Sequence, residues 1–182
     1  MKYIDLTKAE RDVRVAQAAE LAEMPHNEQI LLINKLYLNS DDEEPVIIQR
    51  EYVEIGLPVS KIKPNKDMIT LNSELERKRY SYYQQDLRKK RIENINEIIT
   101  LYEITEKLVK SKLQCFYCGL KVLLFYKHVK EPYQWTLDRI DNTQAHTDNN
   151  TCIACLDCNL KRRNISHSGY VFTKKLSIRK LE

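Results

Sequence analysis

Cys115-Phe-Tyr-Cys118 is answered, after a gap of 36 residues, by Cys155-Leu-Asp-Cys158, and between them lie Thr136-Leu-Asp-Arg-Ile-Asp141 and Asn149-Asn150. Each Cys-x-x-Cys turn can offer two thiolates to one Zn²⁺. Two such turns complete a tetrahedral four-sulfur shell that leaves no open position for chemistry. A zinc held this way is structural, and its apparent binding free energy of about 10–16 kcal/mol can fix a segment too short to build much core. Small buried thiols and disulfides are the competing readings of the same spacing. Cys152 overlaps the second pair, so the ligand set is read as Cys115, Cys118, Cys155 and Cys158, with Cys152 a buried strand residue.

The rest of the chain divides by charge. Residues 1–74 hold 9 Lys+Arg against 14 Asp+Glu, and residues 75–182 hold 21 against 12, so net charges of −5 and +9 make up the overall +4. The C-terminal part is therefore the candidate for binding a polyanion. The full length of 182 residues allows one domain with a good core or two small ones. No apolar run approaches the roughly twenty residues that span a bilayer, and Asp5, Glu10 and Asp12 stand where a targeting peptide would be basic. The expectation is a protein without a membrane segment, in a reducing intracellular compartment such as the cytoplasm or nucleus, with a phage or viral source compatible.

Three segments are expected. Residues 1–70 form an acidic segment of helix and strand. Thr7 and Glu10 read as a capping box before a helix over Lys8–Met24 that Pro25 ends, and a second helix runs over Glu28–Leu38. Asp41 to Glu44 read as a loop, Val46–Ile55 has strand-like residues, and a connector spans residues 56–70. Residues 71–112 lack Gly and Pro and carry apolar residues at helical spacing, which predicts one long amphipathic helix, broken at most once and about 60 Å long if continuous. It carries the basic run Arg88, Lys89, Lys90 and Arg91. A helix of this kind can track a phosphate backbone or pair with neighbours, in a homodimer or a larger assembly.

Residues 113–182 hold the chemistry. Trp135 and Leu137 suit one strand and Thr151–Ala154 a second, and Asn159 opens a helical run with Lys161, Arg162 and Arg163. Two strands and a helix stapled at both ends bring Asp138 near Asn159, where both can share a hard cation such as Mg²⁺ through oxygen.

The order Cys-x-x-Cys, Leu-Asp-x-Ile-Asp, central Asn, Cys-x-x-Cys-Asn resembles the zinc-containing HNH endonucleases, also called His-Me finger proteins. Their ββα-metal fold recurs in phage junction resolvases and in one nuclease domain of the RNA-guided CRISPR enzymes. Leu137 to Asn142 match the first motif, Asn150 the central Asn, and Cys158-Asn159-Leu-Lys-Arg162 the helix motif; the likeness covers about 50 residues. It implies an α+β fold with a C-terminal ββα-metal domain, a catalytic Mg²⁺ or Mn²⁺ on Asp138 and Asn159, a loop braced by Asn150, and DNA as the partner, with Lys161, Arg162 and Arg163 joining Arg88 to Arg91 on the nucleic acid. The family's general base is a His directly after the Asp, and here that position is Arg139, as in a phage and viral branch with Asp-Arg-Ile-Asp. Arg cannot accept a proton at working pH but can stabilise charge on a phosphate. The base is then sought in Asp141 or His146. A metal-dependent nuclease and a hydrolytically inactive zinc module that binds nucleic acid within an assembly are the two functions this pattern admits.

Overall fold

The computed structural model describes residues 8–38 and 66–176. The described residues form helices α1 (Lys8–Leu21), α2 (His26–Leu38), α3 (Lys66–Arg88), α4 (Leu101–Lys110), α5 (Leu156–Arg162) and α6 (His167–Lys175), with strands β1 (Trp135–Arg139) and β2 (Thr151–Cys155) and a 3₁₀ turn at Ile95–Glu97. This is an α+β chain built on a small antiparallel sheet. The capping box at Thr7, the acidic loop and the strand expected over Val46–Ile55 lie outside the described residues.

Helix α1 stops at Leu21, three residues before the expected end. The amides of Glu23 and Met24 bond to carbonyls three residues back, at 3.2 and 3.0 Å, so the last turn tightens ahead of Pro25. The connector expected to reach residue 70 is shorter, because α3 already begins at Lys66.

The long helix expected over residues 71–112 is two helices with an excursion between them. After Arg88, the amide of Lys90 bonds to the carbonyl of Leu87 and the amide of Arg91 to that of Asp86, both at 3.0 Å, with Lys90 at φ 51°. That pairing is a Schellman motif, which normally recruits Gly at the left-handed position. A lysine holds it here, so no breaker residue marked the stop. Asn94 and Thr100 then cap the 3₁₀ turn and α4 through reciprocal bonds with Glu97 and Glu103. Helix α4 ends the same way as α3: Lys112 bonds to Val109 at 2.9 Å and Leu113 to Leu108 at 3.2 Å, with Lys112 again at φ 51°.

One core joins the N-terminal helices to the sheet, and a smaller cluster of Ile92, Ile98 and Ala145 stands apart from it. Leu32 and Ile33 of α2, Met68, Leu71 and Leu75 of α3, and Ile104 and Leu108 of α4 join Val122, Trp135, Leu137, Ile153 and the cysteines in a single buried cluster. The boundary expected near residue 112 therefore does not separate two cores. Polar bonds cross it as well, from the Leu124 amide to Gln29 Oε1 at 3.0 Å and between His26 Nε2 and the Leu113 carbonyl at 3.3 Å. The apolar stripe of α3 is used inside the chain. No described helix is long and apolar enough to cross a membrane.

The left-handed lysines give a direct test. Lys112→Gly removes the Cβ penalty of that conformation and should raise the urea midpoint by an amount worth up to about 1 kcal/mol, whereas Lys112→Ala should leave it unchanged.

Candidate metal centre and the adjoining cleft

The first Cys-x-x-Cys is a tight turn. The Cys115 amide bonds to the Leu120 carbonyl at 2.8 Å and the Gly119 amide to the Cys115 carbonyl at 2.9 Å, with Gly119 at φ +69°. Phe116 N–H donates to the Ile153 carbonyl at 2.8 Å and docks this turn on β2. The second pair straddles the β2–α5 junction, where Cys155 caps the helix and its Sγ accepts the Cys158 amide at 3.4 Å.

These turns gather the sulfurs of Cys115, Cys118, Cys155 and Cys158 within 4.8 Å of one another, a group that could hold a metal ion. A tetrahedral shell with Zn–S bonds of about 2.3 Å has sulfur–sulfur edges of about 3.8 Å. Cys118 and Cys155 are 3.9 Å apart, which fits that edge and is nearly twice a disulfide bond. All five cysteines are free thiols. Their proton affinities are split: Cys115 is pushed down to about 4, first by its bond with Cys155, while burial pushes Cys158 up to about 11. Cys152 stands apart from the group, half-buried on β2 with its Sγ 3.8 Å from the Tyr117 hydroxyl, and burial raises it to about 12.

Strand β1 pairs with β2 in register, Asp138 opposite Cys152 and Arg139 opposite Thr151. Its free edge faces α3, where the Leu137 amide donates to the Tyr82 hydroxyl at 3.0 Å. Between that edge, α3 and α5 lies a cleft of about 480 Å³, whose lining includes Asp138, Arg139, His146, Asn159, Lys89 and Arg91. Asp138 and Asn159 thus share one cleft. Asn159 donates through Nδ2 to Thr136 Oγ1 at 3.1 Å, and its Oδ1 makes no hydrogen bond among the described residues. Asp138 is only 5% exposed. Arg162 Nη1 bridges its two oxygens at 2.9 and 3.0 Å, and Tyr117 donates to Oδ2 at 2.6 Å.

Arg162 is therefore placed otherwise than on a nucleic acid. It is 1% exposed, and its other amino group donates to the Ile140 carbonyl at 2.9 Å. Lys161 and Arg163 are exposed, and Lys161 pairs with Asp157 at 2.7 Å. In the basic run at the end of α3, Arg88, Lys89 and Lys90 are exposed. Arg91 instead turns inward to Asp86 at 3.3 Å and to the carbonyls of Asn142 and Thr143.

Asn150 closes the loop between the strands. Its Oδ1 accepts the Asp141 amide at 2.8 Å, and its Nδ2 donates to the carbonyls of Asp141 at 3.0 Å and Ala145 at 2.8 Å. Asp141 is spent on the same loop: its carboxylate accepts from Thr143 Oγ1 at 2.7 Å, the Thr143 amide at 2.8 Å and Gln144 at 2.9 Å. Those bonds, Thr143's hydroxyl first, hold it below the ordinary carboxylate range, which unsuits it as a base.

One residue escaped sequence reasoning altogether. Asp86 of α3 is fully buried, and its carboxylate meets His146 Nδ1 and the His146 amide at 2.7 Å, and Arg91 and Arg139 at 3.3 Å. In the sequence it is an unremarkable polar residue on a polar helix. The signal was positional: Met68, Leu71, Leu75, Arg79, Tyr82 and Asp86 follow one helical stripe that turns from apolar to polar.

Two outcomes are expected. Cys158→Ser should lower bound metal, read by elemental analysis of the purified protein, and expose the C-terminal part to protease. Arg162→Met strands a buried carboxylate and should cost about 3–5 kcal/mol in urea unfolding, most of it recovered when Asp138→Asn is added. Protein-family models, curated proteins and solved structures were all compared with this chain, and none matches, so the site stands on its own residues.

Proposed function

We propose that this chain is a metal-dependent DNA endonuclease of the HNH type that its motifs resemble, with Zn²⁺ structural on the four cysteines and Mg²⁺ or Mn²⁺ on Asp138 and Asn159. The observation that carries the reading is the cleft: Asp138 of β1 and Asn159 of α5 both line it, with Lys89, Arg91, Arg139 and Arg163 around them.

The donor set fits a hard cation. A carboxylate has about four lone-pair sites, and Asp138 gives them to two donor atoms, so acceptor capacity remains beside the Asn159 oxygen. A divalent ion there supplies charge for the phosphate and for the departing oxygen. The chain's own contribution is positioning. Lys89 and Arg163 offer cations to the flanking phosphates, and the Asn150 bonds fix the loop that forms one rim.

A second reading has one observation in its favour. Arg162 already neutralises Asp138, which suits a module that keeps the four-cysteine scaffold and binds nucleic acid without cutting it. Incubation with supercoiled plasmid separates the two. The nuclease reading expects nicked circles with Mg²⁺ or Mn²⁺, none with EDTA, and none from folded Asp138→Ala or Asn159→Ala. Retarded but intact plasmid, with every metal, would establish the binding module instead. Branched and single-stranded DNA and RNA in parallel identify the substrate.

A further inference from the structure

We infer that His146, held by Asp86, is the proton acceptor for the attacking water, so that a pair assembled from helix α3 and the β1–β2 loop takes the place of the histidine that Arg139 replaces. This deepens the nuclease reading and rests on it.

His146 is fixed more completely than a loop residue needs to be. Its amide donates to Asp86 Oδ2 at 2.7 Å, its carbonyl accepts the Ile99 amide at 2.7 Å, and its Nδ1 meets the same Asp86 oxygen at 2.7 Å. The Tyr82 ring lies against the imidazole with centroids 4.6 Å apart. A carboxylate on Nδ1 requires the proton there, which leaves Nε2 as the lone-pair nitrogen of the neutral ring. Nε2 makes no hydrogen bond among the described residues, and His146 lines the same cleft as Asp138 and Asn159.

The charges around the ring suit a base. Burial is the largest influence on His146 and lowers its pKa from 6.5; Asp86 opposes it, and Arg139 and Arg91 add to it. The net direction is down, so the ring is neutral at neutral pH. Burial alone would raise Asp86, but its bonds to His146 and the charge of Arg139 hold it below the ordinary range, so it stays an anion and does not take the proton itself. The Tyr82 hydroxyl is pushed up by burial and remains neutral.

In the step assigned to this pair, Nε2 takes a proton from water as the water oxygen bonds to phosphorus. The bridging phosphorus–oxygen bond breaks, and the departing oxygen is protonated by solvent water. The resulting imidazolium is stabilised by Asp86 and returns its proton to solvent. Asp86 is a positioning residue, since it acts only through the ring.

Plasmid nicking with Mn²⁺ is measured from pH 5 to 9 for the wild-type chain, His146→Ala, His146→Gln, Asp86→Asn and Asp138→Ala, with folding checked by circular dichroism and metal content. The Gln variant keeps an amide donor for Asp86 should the Ala variant fail to fold. Wild type should show an acid limb with its midpoint below 6.5. Both His146 variants should lose about 100-fold or more, and added imidazole should restore part of the loss to His146→Ala. Asp86→Asn should lose at least about tenfold and move the acid limb further down, because the charge that favours the protonated ring is gone. A merely structural His146 would give no imidazole rescue and no displaced limb. Wild-type rates and an unchanged limb in the His146 variants, with Asp138→Ala inactive, would overturn this inference and leave the nuclease reading standing. A wild-type chain that nicks nothing would overturn both.

Discussion

Two five-residue strands cannot hold themselves together in water, and everything at the cleft depends on what braces them. An isolated pair of strands is marginal at best, because too little apolar surface is removed from solvent to offset the ordering of the backbone. Here the pair is held from two sides. At one end the turn at Cys115–Cys118 donates an amide to β2, and four sulfurs converge where β2 becomes α5. Along the free edge of β1, α3 presents the Tyr82 hydroxyl to the Leu137 amide, while Trp135 and Leu137 are buried in the common core. Without the N-terminal helices, the edge amide would face solvent and the cleft would lose a wall.

Helix α3 carries this arrangement because one of its faces changes character along its length. Met68, Leu71 and Leu75 pack into the core, and the same stripe continues as Arg79, Tyr82 and Asp86. The polar part is not solvated. Arg79 donates to the carbonyls of Ile99 and Ile95 at 2.8 and 3.4 Å, and Asp86 collects partners from its own helix end and from the loop between the strands. Burying such groups unpaired would cost several kcal/mol, so their near-complete pairing marks a specified junction.

What could be read from the chain and what could not divides along physical lines. The cysteines were legible because a Cys-x-x-Cys spacing encodes the reach of two sulfurs toward one point, a local property. The strands around Trp135 and Thr151 were legible from their residue types, as was a helix with Asn159, although that helix starts at Leu156, capped by Cys155, and stops at Arg162. The end of α3 was hidden, because a Schellman turn with lysine at its left-handed position leaves no glycine to mark it. Asp86 and the inward turn of Arg91 and Arg162 were hidden for a different reason. Their partners lie between 5 and 60 residues away, and for the distant ones only the packing of α3 and α5 against the sheet decides which cations face inward. A run of basic residues therefore overstates the charge available to a polyanion.

That same packing gives Arg139 its meaning. An arginine on β1 is long enough to reach both Asp86 at 3.3 Å and the Gln144 carbonyl at 3.2 Å, and so ties the strand to α3 and to the far side of the loop. A histidine at that position is too short to make both contacts. The loop closed by Arg139 is the one that carries His146 two residues beyond Gln144, and the carboxylate that anchors Arg139 also orients the imidazole. The strand thus carries the strut and the loop carries the titratable ring. Both contacts need the same buried anion, and without Arg91 and Arg139 the charge of Asp86 would be uncompensated in the interior. Asp86, from outside the segment that carries the motifs, is the residue on which both contacts turn.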